Sequence, residues 1–142
     1  MHILVTGSSG TIGTRLCETL MGNSHQVSGI DWLPCKWQER VNALTTIIDM
    51  RDAAAVEAYN PASTPDAMVH LAANARVYEL VEEPRRALDN FTTLFNGLEL
   101  ARRLGIKRFV FASSREGYGN IAVDKYTEDM VRVENCESPY TA

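Results

Sequence analysis

The chain opens with a short apolar strand that breaks into a glycine-rich turn. Residues 2–6 are apolar and rich in β-branched side chains, and three glycines follow at intervals of three, Gly7, Gly10 and Gly13. Glycine permits a positive φ and has no Cβ, so the backbone can approach a ligand closely before a helix begins. The helix predicted over residues 11–21 points its free N–H groups at this turn, where an anion is favoured. The pattern indicates a site for the pyrophosphate of a dinucleotide.

An acidic residue follows the second predicted strand, at residues 25–30. Asp31 lies 18 residues beyond the last glycine of the turn. A carboxylate about 20 residues after the turn accepts hydrogen bonds from ribose hydroxyls and repels a 2′-phosphate. Asp31 therefore favours NAD over NADP; an NADP-dependent reductase and a solvated loop carboxylate are the alternatives. Trp32 and Trp37 either shelter an adenine or cover the loop, and the second interpretation is favoured.

Length and composition exclude several classes of protein. The 142 residues allow one domain with a core, and 45% hydrophobic with 23% charged residues is ordinary for a globular protein. A net charge of −4 argues against a nucleic-acid or anionic-membrane surface. No membrane span or signal peptide is found, so we expect a cytoplasmic protein. No metal site is predicted, and three residues are expected to be free thiols: Cys17, Cys35 and Cys136.

Strands and helices alternate along the rest of the chain. Further strands are predicted at residues 44–48, 67–71 and 107–112, and helices at 52–59 and 84–104. Such alternation is typical of parallel strands joined by right-handed helical crossovers. We therefore expect an α/β fold, a Rossmann-type doubly wound parallel sheet of about five strands in three α/β/α layers. Its ligand would lie at the carboxyl ends of the strands.

The long helix predicted over residues 84–104 carries one apolar face. Spacings of three and four predict that this face is buried, at Leu88, Phe91, Phe95, Leu98 and Ala101. His70, at the end of the fourth strand, is expected to pack and hydrogen-bond rather than catalyse. The fifth strand would expose an unpaired edge, so we expect self-association or a continuation of the chain.

The residues at the strand ends follow the pattern of a known family. In chain order the motifs are Thr6-Gly7-Ser-Ser-Gly10-Thr-Ile-Gly13, Asp31, Asp49-Met50, His70-Leu-Ala-Ala73, Asn90, Lys107-Arg-Phe-Val-Phe-Ala-Ser-Ser114, Tyr118-Gly119 and Ser138-Pro-Tyr140. On these motifs the chain resembles the extended short-chain dehydrogenase/reductase superfamily, and within it the NAD-dependent sugar epimerases and dehydratases. The resemblance implies that residues 1–142 are an NAD-binding Rossmann domain without the family's last strands and C-terminal substrate domain.

The resemblance also implies which residues contact NAD. The three glycines would form the pyrophosphate turn, Asp31 would hold the adenosine ribose, and Asp49 with Met50 would flank the adenine. Asn90 would help to order the site, or it is merely a polar residue on a helix. The remaining contacts would come from Thr11, Ile12, Leu71, Ala72, Ala73, Ala112, Ser113 and Tyr140.

A catalytic set follows from the same resemblance. Tyr140 matches the tyrosine of the family's Tyr-x-x-x-Lys pair, which exchanges the proton of the substrate hydroxyl while the nicotinamide takes the hydride. Ser114 would orient the oxygen that becomes a carbonyl. The lysine that lowers the pKa of the tyrosine would fall two residues past Ala142. Residues 1–142 alone are therefore expected to turn over a sugar nucleotide inefficiently. Glu116 is either the acid that dehydratases and decarboxylases use in proton transfer or a salt-bridged surface residue.

Two functions are compatible with these residues. The first is the NAD-binding portion of a nucleotide-sugar epimerase/dehydratase, similar to the UDP-sugar 4-epimerases, with an epimerase favoured over a dehydratase because Arg115 precedes Glu116. The second is a stand-alone, non-catalytic dinucleotide-binding module. Ser114 and Tyr140 favour the enzyme, since a module has no use for them. A nucleotide-sugar substrate and a homodimer are the partners that the resemblance implies.

Overall fold

A computed structural model describes residues 1–130, which contain one five-stranded parallel sheet. The strands are β1 (His2–Thr6), β2 (Gln26–Asp31), β3 (Thr45–Ile47), β4 (Ala67–His70) and β5 (Arg108–Phe111). They lie in the order β3-β2-β1-β4-β5. The chain winds outward from β1 in both directions, so the crevice for a ligand is expected at the carboxyl ends of β1 and its neighbours. The predicted Rossmann-type sheet is confirmed.

Helices alternate with the strands along the chain. Within residues 1–130 they are α1 (Thr11–Gly22), α2 (Glu39–Leu44), α3 (Ala53–Ala58), α4 (Val77–Glu82) and α5 (Arg85–Leu104), with 3-10 turns at Arg115–Tyr118 and Glu128–Met130. The sequence predicts α1, α3 and α5 and misses α2 and α4. Each missed helix has six residues and buries one side chain, Val41 or Leu80, so neither shows a helical apolar period.

The interior strand β1 divides the core into two layers. Successive side chains of a strand point to opposite faces, so Leu4 lies in one cluster while Ile3 and Val5 lie in the other. The first cluster includes residues of α3 and α5, and the second includes residues of α1 and α2. Cys17 and Cys35 are free and buried in the second cluster, and burial raises the pKa of the Cys17 thiol to about 11. They are packing groups.

The apolar face of α5 is exposed, so the sequence prediction for this helix is wrong at four of its five positions. Leu88, Phe91, Phe95 and Leu98 have exposed fractions between 46% and 68%. Only Ala101 is buried, at 5%. The helix packs on the sheet through its opposite face.

Small and polar residues form the buried face of α5. Gly97 allows close approach to β4, because a Cβ there would lie 2.9 Å from Nδ1 of His70. Asn96 is 6% exposed, and its Nδ2 donates to the backbone carbonyl of Met50 at 2.7 Å. Hydrogen bonds to backbone carbonyls satisfy this polar face, which a hydrophobicity pattern cannot reveal.

The chain forms two compact units. The first comprises Met1–Ala73 with Phe91–Ala112 and holds the whole sheet. In it β5 pairs with β4 and is a sheet edge of the described residues, with Val110 and Phe111 about half exposed. The described part of the second unit comprises Asn74–Asn90 and residues 113–130.

Candidate dinucleotide-binding site

Two of the three glycines in the first turn are required by steric fit. Gly7 has φ +73°, and a Cβ there would lie 2.8 Å from the carbonyl carbon of Leu71. A Cβ on Gly13 would overlap the carbonyl oxygen of Gly7. Gly10 differs, because it is exposed and its Cβ would meet only the Gly7 carbonyl, at 3.3 Å. The turn is therefore closed on the protein side and open to solvent at Gly10.

The N-terminus of α1 is open beside this turn. Gly10 is its N-cap residue, and no side chain caps the helix. Thr11 and Ile12 are exposed, Ile12 by 71%. The first backbone N–H groups of a helix have no partner within the helix, and their partial positive charge favours an anion. This arrangement suits an anion such as a phosphate group, and we refer to the turn and the N-terminus of α1 as the phosphate cradle.

Asp31 ends β2 and is oriented by the turn. Its carboxylate is 7% exposed; Oδ2 accepts from the Ser9 N–H at 2.9 Å, and Oδ1 accepts from the Leu33 N–H at 3.1 Å. A carboxylate has about four acceptor positions, so two backbone donors hold it in place and leave others for ribose hydroxyls. The link from Ser9 to Asp31 joins the phosphate cradle to the predicted ribose site.

The side chain of Ser9 is a site feature that sequence reasoning missed. Its Oγ is buried and has no hydrogen-bond partner within residues 1–130. An unsatisfied buried hydroxyl costs about 1–3 kcal/mol. This orphan hydroxyl and the open glycine cradle fit the pyrophosphate and ribose of a dinucleotide. The signal in the sequence was a serine inside the glycine motif.

The loops after β2 and β3 are joined by an arginine. Arg51 Nη2 contacts Asp49 Oδ2 at 2.6 Å and Nε donates to Oδ1 at 3.0 Å, and these hydrogen bonds lower the pKa of Asp49. The Arg51 guanidinium also lies over the ring of Trp32, 5.5 Å from its centroid. Met50 is buried in the core, so of the two residues predicted at the adenine, Asp49 has the more accessible side chain.

Small residues follow β4 at the next strand end. The Leu71 N–H donates to the Thr6 carbonyl at 3.1 Å, and the Ala72 N–H donates to Thr6 Oγ1 at 3.4 Å. Thr6 Oγ1 also lies 2.8 Å from Nδ1 of His70. Burial lowers the pKa of His70 to about 4, so its ring is neutral near pH 7. His70 packs and hydrogen-bonds, as its position in the sequence predicts, and Ala73 is exposed beyond it.

The second unit contains Ser114 and Glu116. Ser114 is the N-cap of the 3-10 turn, and its Oγ accepts from the Glu116 N–H at 3.2 Å, which leaves the hydroxyl proton out of that bond. The Glu116 carboxylate pairs with Arg115 at 3.2 Å. Tyr140 lies outside the described residues, so its predicted role stays a prediction.

Asn90 belongs to the same unit and binds one backbone position twice. Its Oδ1 accepts from the Asn74 N–H at 2.6 Å, and its Nδ2 donates to the Asn74 carbonyl at 3.1 Å. The side chain therefore orders the segment at Asn74. Ala112 and Ser113 are exposed residues after β5.

The first unit thus brings together the phosphate cradle, Asp31 and Asp49 at the carboxyl ends of β1, β2 and β3. Among residues 1–130, no group of three histidine, cysteine or acidic side chains could hold a metal ion. No helix in this part of the chain is long and apolar enough to cross a membrane.

Comparison with known proteins identifies the family. Residues 3–142 match the NAD dependent epimerase/dehydratase family. The chain belongs to this family. Among its members, the UDP-glucose 4-epimerase of Corynebacterium glutamicum is 33% identical over 131 residues, which are 92% of this chain and 40% of that protein.

Solved structures from the epimerase/dehydratase family share the fold. The UDP-glucose 4-epimerase of Thermotoga maritima, crystallised with UDP-glucose, has a TM-score of 0.86 at 32% identity and covers 99% of this chain. The enzyme of Thermus thermophilus in complex with NAD has a TM-score of 0.83 at 31% identity. The chain spans 47% and 46% of these two proteins, so it is less than half their length. The predicted family and fold class are confirmed.

Proposed function

We propose that this chain is the NAD-binding Rossmann portion of a nucleotide-sugar epimerase/dehydratase, similar to the UDP-sugar 4-epimerases. One observation carries the proposal: an uncapped, open N-terminus of α1 lies beside a carboxylate, Asp31, that two backbone N–H groups hold in place. The UDP-glucose 4-epimerases among its relatives support the substrate class. Because the chain spans less than half of these relatives, the activity of the whole enzyme is part of the proposal.

Each part of NAD has a group in the chain suited to it. The N–H groups of Thr11 and Ile12 would bind the pyrophosphate, Asp31 would accept from the adenosine ribose, and Asp49 would lie at the adenine. The small residues after β4 would allow the cofactor to pass close to the backbone. When bound, NAD supplies the electron acceptor for oxidation of a sugar carbon.

Replacing Asp31 by asparagine is expected to raise the dissociation constant of NAD by about 10- to 100-fold. The substitution removes a charged acceptor from the ribose, and hydrogen bonds to charged groups contribute about 1.5–3 kcal/mol. The wild-type chain is expected to bind NAD at least about tenfold more tightly than NADP, because Asp31 repels the 2′-phosphate. The substitution should reduce this ratio, and isothermal titration calorimetry with both dinucleotides measures it.

Glu57→Gln is the charge-matched control for this experiment, since Glu57 is exposed on α3. Its affinity for NAD should equal that of the wild-type chain. A thermal unfolding midpoint shared by the Asp31→Asn variant and the wild type shows that the loss is one of binding. Tighter binding of NADP than of NAD, or no binding of either, would contradict the proposal.

The catalytic roles that we propose rest on Tyr140, Ser114 and Glu116. Tyr140 would exchange the proton of the substrate hydroxyl, and the Ser114 hydroxyl would orient the substrate oxygen. The capping bond at Ser114 uses a lone pair and so is compatible with donation to a substrate. Glu116 would take part in proton transfer if it leaves its ion pair with Arg115; the alternative is a salt-bridged surface residue.

Ser114→Ala in the protein from its native source is expected to lower kcat for epimerisation of UDP-glucose about 100-fold, with the dissociation constant of NAD unchanged. Thr46→Ala removes a hydroxyl at an exposed position on β3 and serves as the control. Unchanged turnover in Ser114→Ala removes Ser114 from the catalytic set, and unchanged turnover in Glu116→Gln removes Glu116. Binding of NAD without any turnover by the wild-type protein would favour the non-catalytic module.

We further propose that the exposed face of α5 pairs with the same face of a second copy. Phe91, Phe95 and Leu98 are 46% to 68% exposed along one side of this helix. Burying such apolar surface against a partner is favourable, with a free energy gain of about 25 cal/mol per Å² removed from water. A two-fold axis presents the same patch from both copies. Sedimentation equilibrium should give twice the monomer mass; a monomer at high concentration contradicts the pairing.

A further inference from the structure

The tryptophan that directly follows Asp31 is held in place with its indole exposed. Trp32 is 60% exposed, and Trp37 in the same loop is 69% exposed. Both indoles keep most of their surface exposed to solvent. Trp32 differs from Trp37 in having the Arg51 guanidinium over its ring.

A chain of contacts links the indole of Trp32 to the loop after β3. The Asp49 carboxylate holds Arg51 through both Nε and Nη2, and Arg51 in turn lies 5.5 Å from the Trp32 ring centroid. A guanidinium held by a carboxylate keeps its position, and its attraction to the aromatic ring restricts the indole. The loops after β2 and β3 are thereby joined into one wall at the carboxyl end of the sheet.

This wall lies where the base of a bound dinucleotide must go. Asp31 would hold the adenosine ribose, and the adenine is attached directly to that ribose. Trp32 is the next residue along the chain, and Asp49 lies two residues beyond the neighbouring strand β3, so the base would leave the ribose beside both. An exposed indole that is already restrained loses little freedom when a base stacks on it.

We propose that Trp32 is the stacking platform for the adenine of NAD and that Arg51 is the residue that positions it. The proposal rests on the proposed function, because it requires that Asp31 hold the adenosine ribose. Stacking of a base on an aromatic side chain is tolerant of the base but requires its π face. The platform therefore recognises the adenine half of the cofactor and contributes nothing to binding of the pyrophosphate alone.

The chain has two tryptophans, so each single substitution isolates the fluorescence of the other. In Trp37→Ala, the remaining Trp32 emission should be quenched as NAD or ADP-ribose is added, with the same dissociation constant that calorimetry gives. In Trp32→Ala, the remaining Trp37 emission should not change. Inorganic pyrophosphate should leave the emission of both variants unchanged.

Calorimetry on the full chain measures the contribution of the platform. Trp32→Ala should raise the dissociation constants of NAD and ADP-ribose about tenfold, whereas Trp37→Ala, the matched control, should leave them unchanged. Trp32→Phe keeps an aromatic ring and should recover most of the affinity. Arg51→Gln should raise the dissociation constants of NAD and ADP-ribose severalfold and reduce the quenching of Trp32 emission.

Four results overturn the proposal, and they can be told apart. Wild-type affinity in Trp32→Ala, or an equal loss in Trp37→Ala, overturns the platform while the proposed function stands. Quenching of Trp32 by pyrophosphate alone also overturns it, because the base is then not the cause. A wild-type chain that does not bind NAD overturns the proposed function and this proposal together.

Discussion

Gly13→Ala is expected to lower the free energy of unfolding by about 3 kcal/mol or more and to abolish NAD binding. A Cβ at this position would overlap the Gly7 carbonyl oxygen and lie 2.8 Å from the Gly7 carbon. Both are backbone atoms, so no rotamer change can relieve the clash. Either the turn opens or α1 moves away from β1, and both changes displace the phosphate cradle. Urea denaturation followed by circular dichroism measures the loss.

Gly22→Ala is the matched control on the same helix. Gly22 ends α1, and a Cβ there has nothing within 4 Å. This variant should be as stable as the wild type or more stable by up to about 1 kcal/mol, because alanine is the better helix former. Both variants make the same chemical change in α1. Equal stability of the two variants would show that the turn adapts to a side chain, and the steric explanation of the motif would be wrong.

Acidification from pH 6.5 to pH 4 is expected to lower the free energy of unfolding by up to about 3 kcal/mol through His70 alone. Burial lowers the pKa of His70 from 6.5 to about 4. Below pH 6.5 the unfolded chain binds a proton at this ring that the folded chain does not bind until about pH 4. Protons therefore favour the unfolded state across this window, and stability is lost as the pH falls.

His70→Asn removes the titrating ring and keeps a polar group opposite Thr6. The difference in unfolding free energy between the wild type and this variant should shrink steadily from pH 7 to pH 4.5, as urea titrations at each pH would show. His25→Asn, at a partly exposed position, should track the wild type. All three chains have the same acidic residues, so the comparison isolates the substituted histidine. If the unfolding free energies of the wild type and His70→Asn fall in parallel with pH, His70 is not the group that causes the loss of stability.

The phosphate cradle could be predicted from sequence because its causes are local. A turn that needs a positive φ at Gly7 and no Cβ at Gly13 restricts the residue type at each position, so the spacing of the glycines carries the information. Asp31 was predictable for a related reason, since the length of one helix and one strand sets its distance from the turn. The order of the five strands and of the helices α1, α3 and α5 followed from the alternation of apolar runs.

The orientation of α5 could not be predicted in the same way. Its strongest periodic signal, centred on Phe91 and Phe95, marks the exposed face, and its buried face uses Asn96 and Gly97. Whether an asparagine is buried depends on an acceptor supplied by another segment, here the Met50 carbonyl. The hydrophobic pattern of a helix shows which face is apolar, but not whether the sheet covers that face.

What the sequence by itself determined is the family, the wound parallel sheet and the glycine cradle with Asp31, since each depends on residue type and short spacing along the chain. What only the tertiary structure decided are the contacts between distant segments. These include the hydrogen bond from the Ser9 N–H to Asp31, the face of α5 that packs on β4, and the position of the Arg51 guanidinium over the Trp32 ring. Such contacts depend on which atoms of distant segments come close together in the folded chain, and no local sequence pattern encodes that.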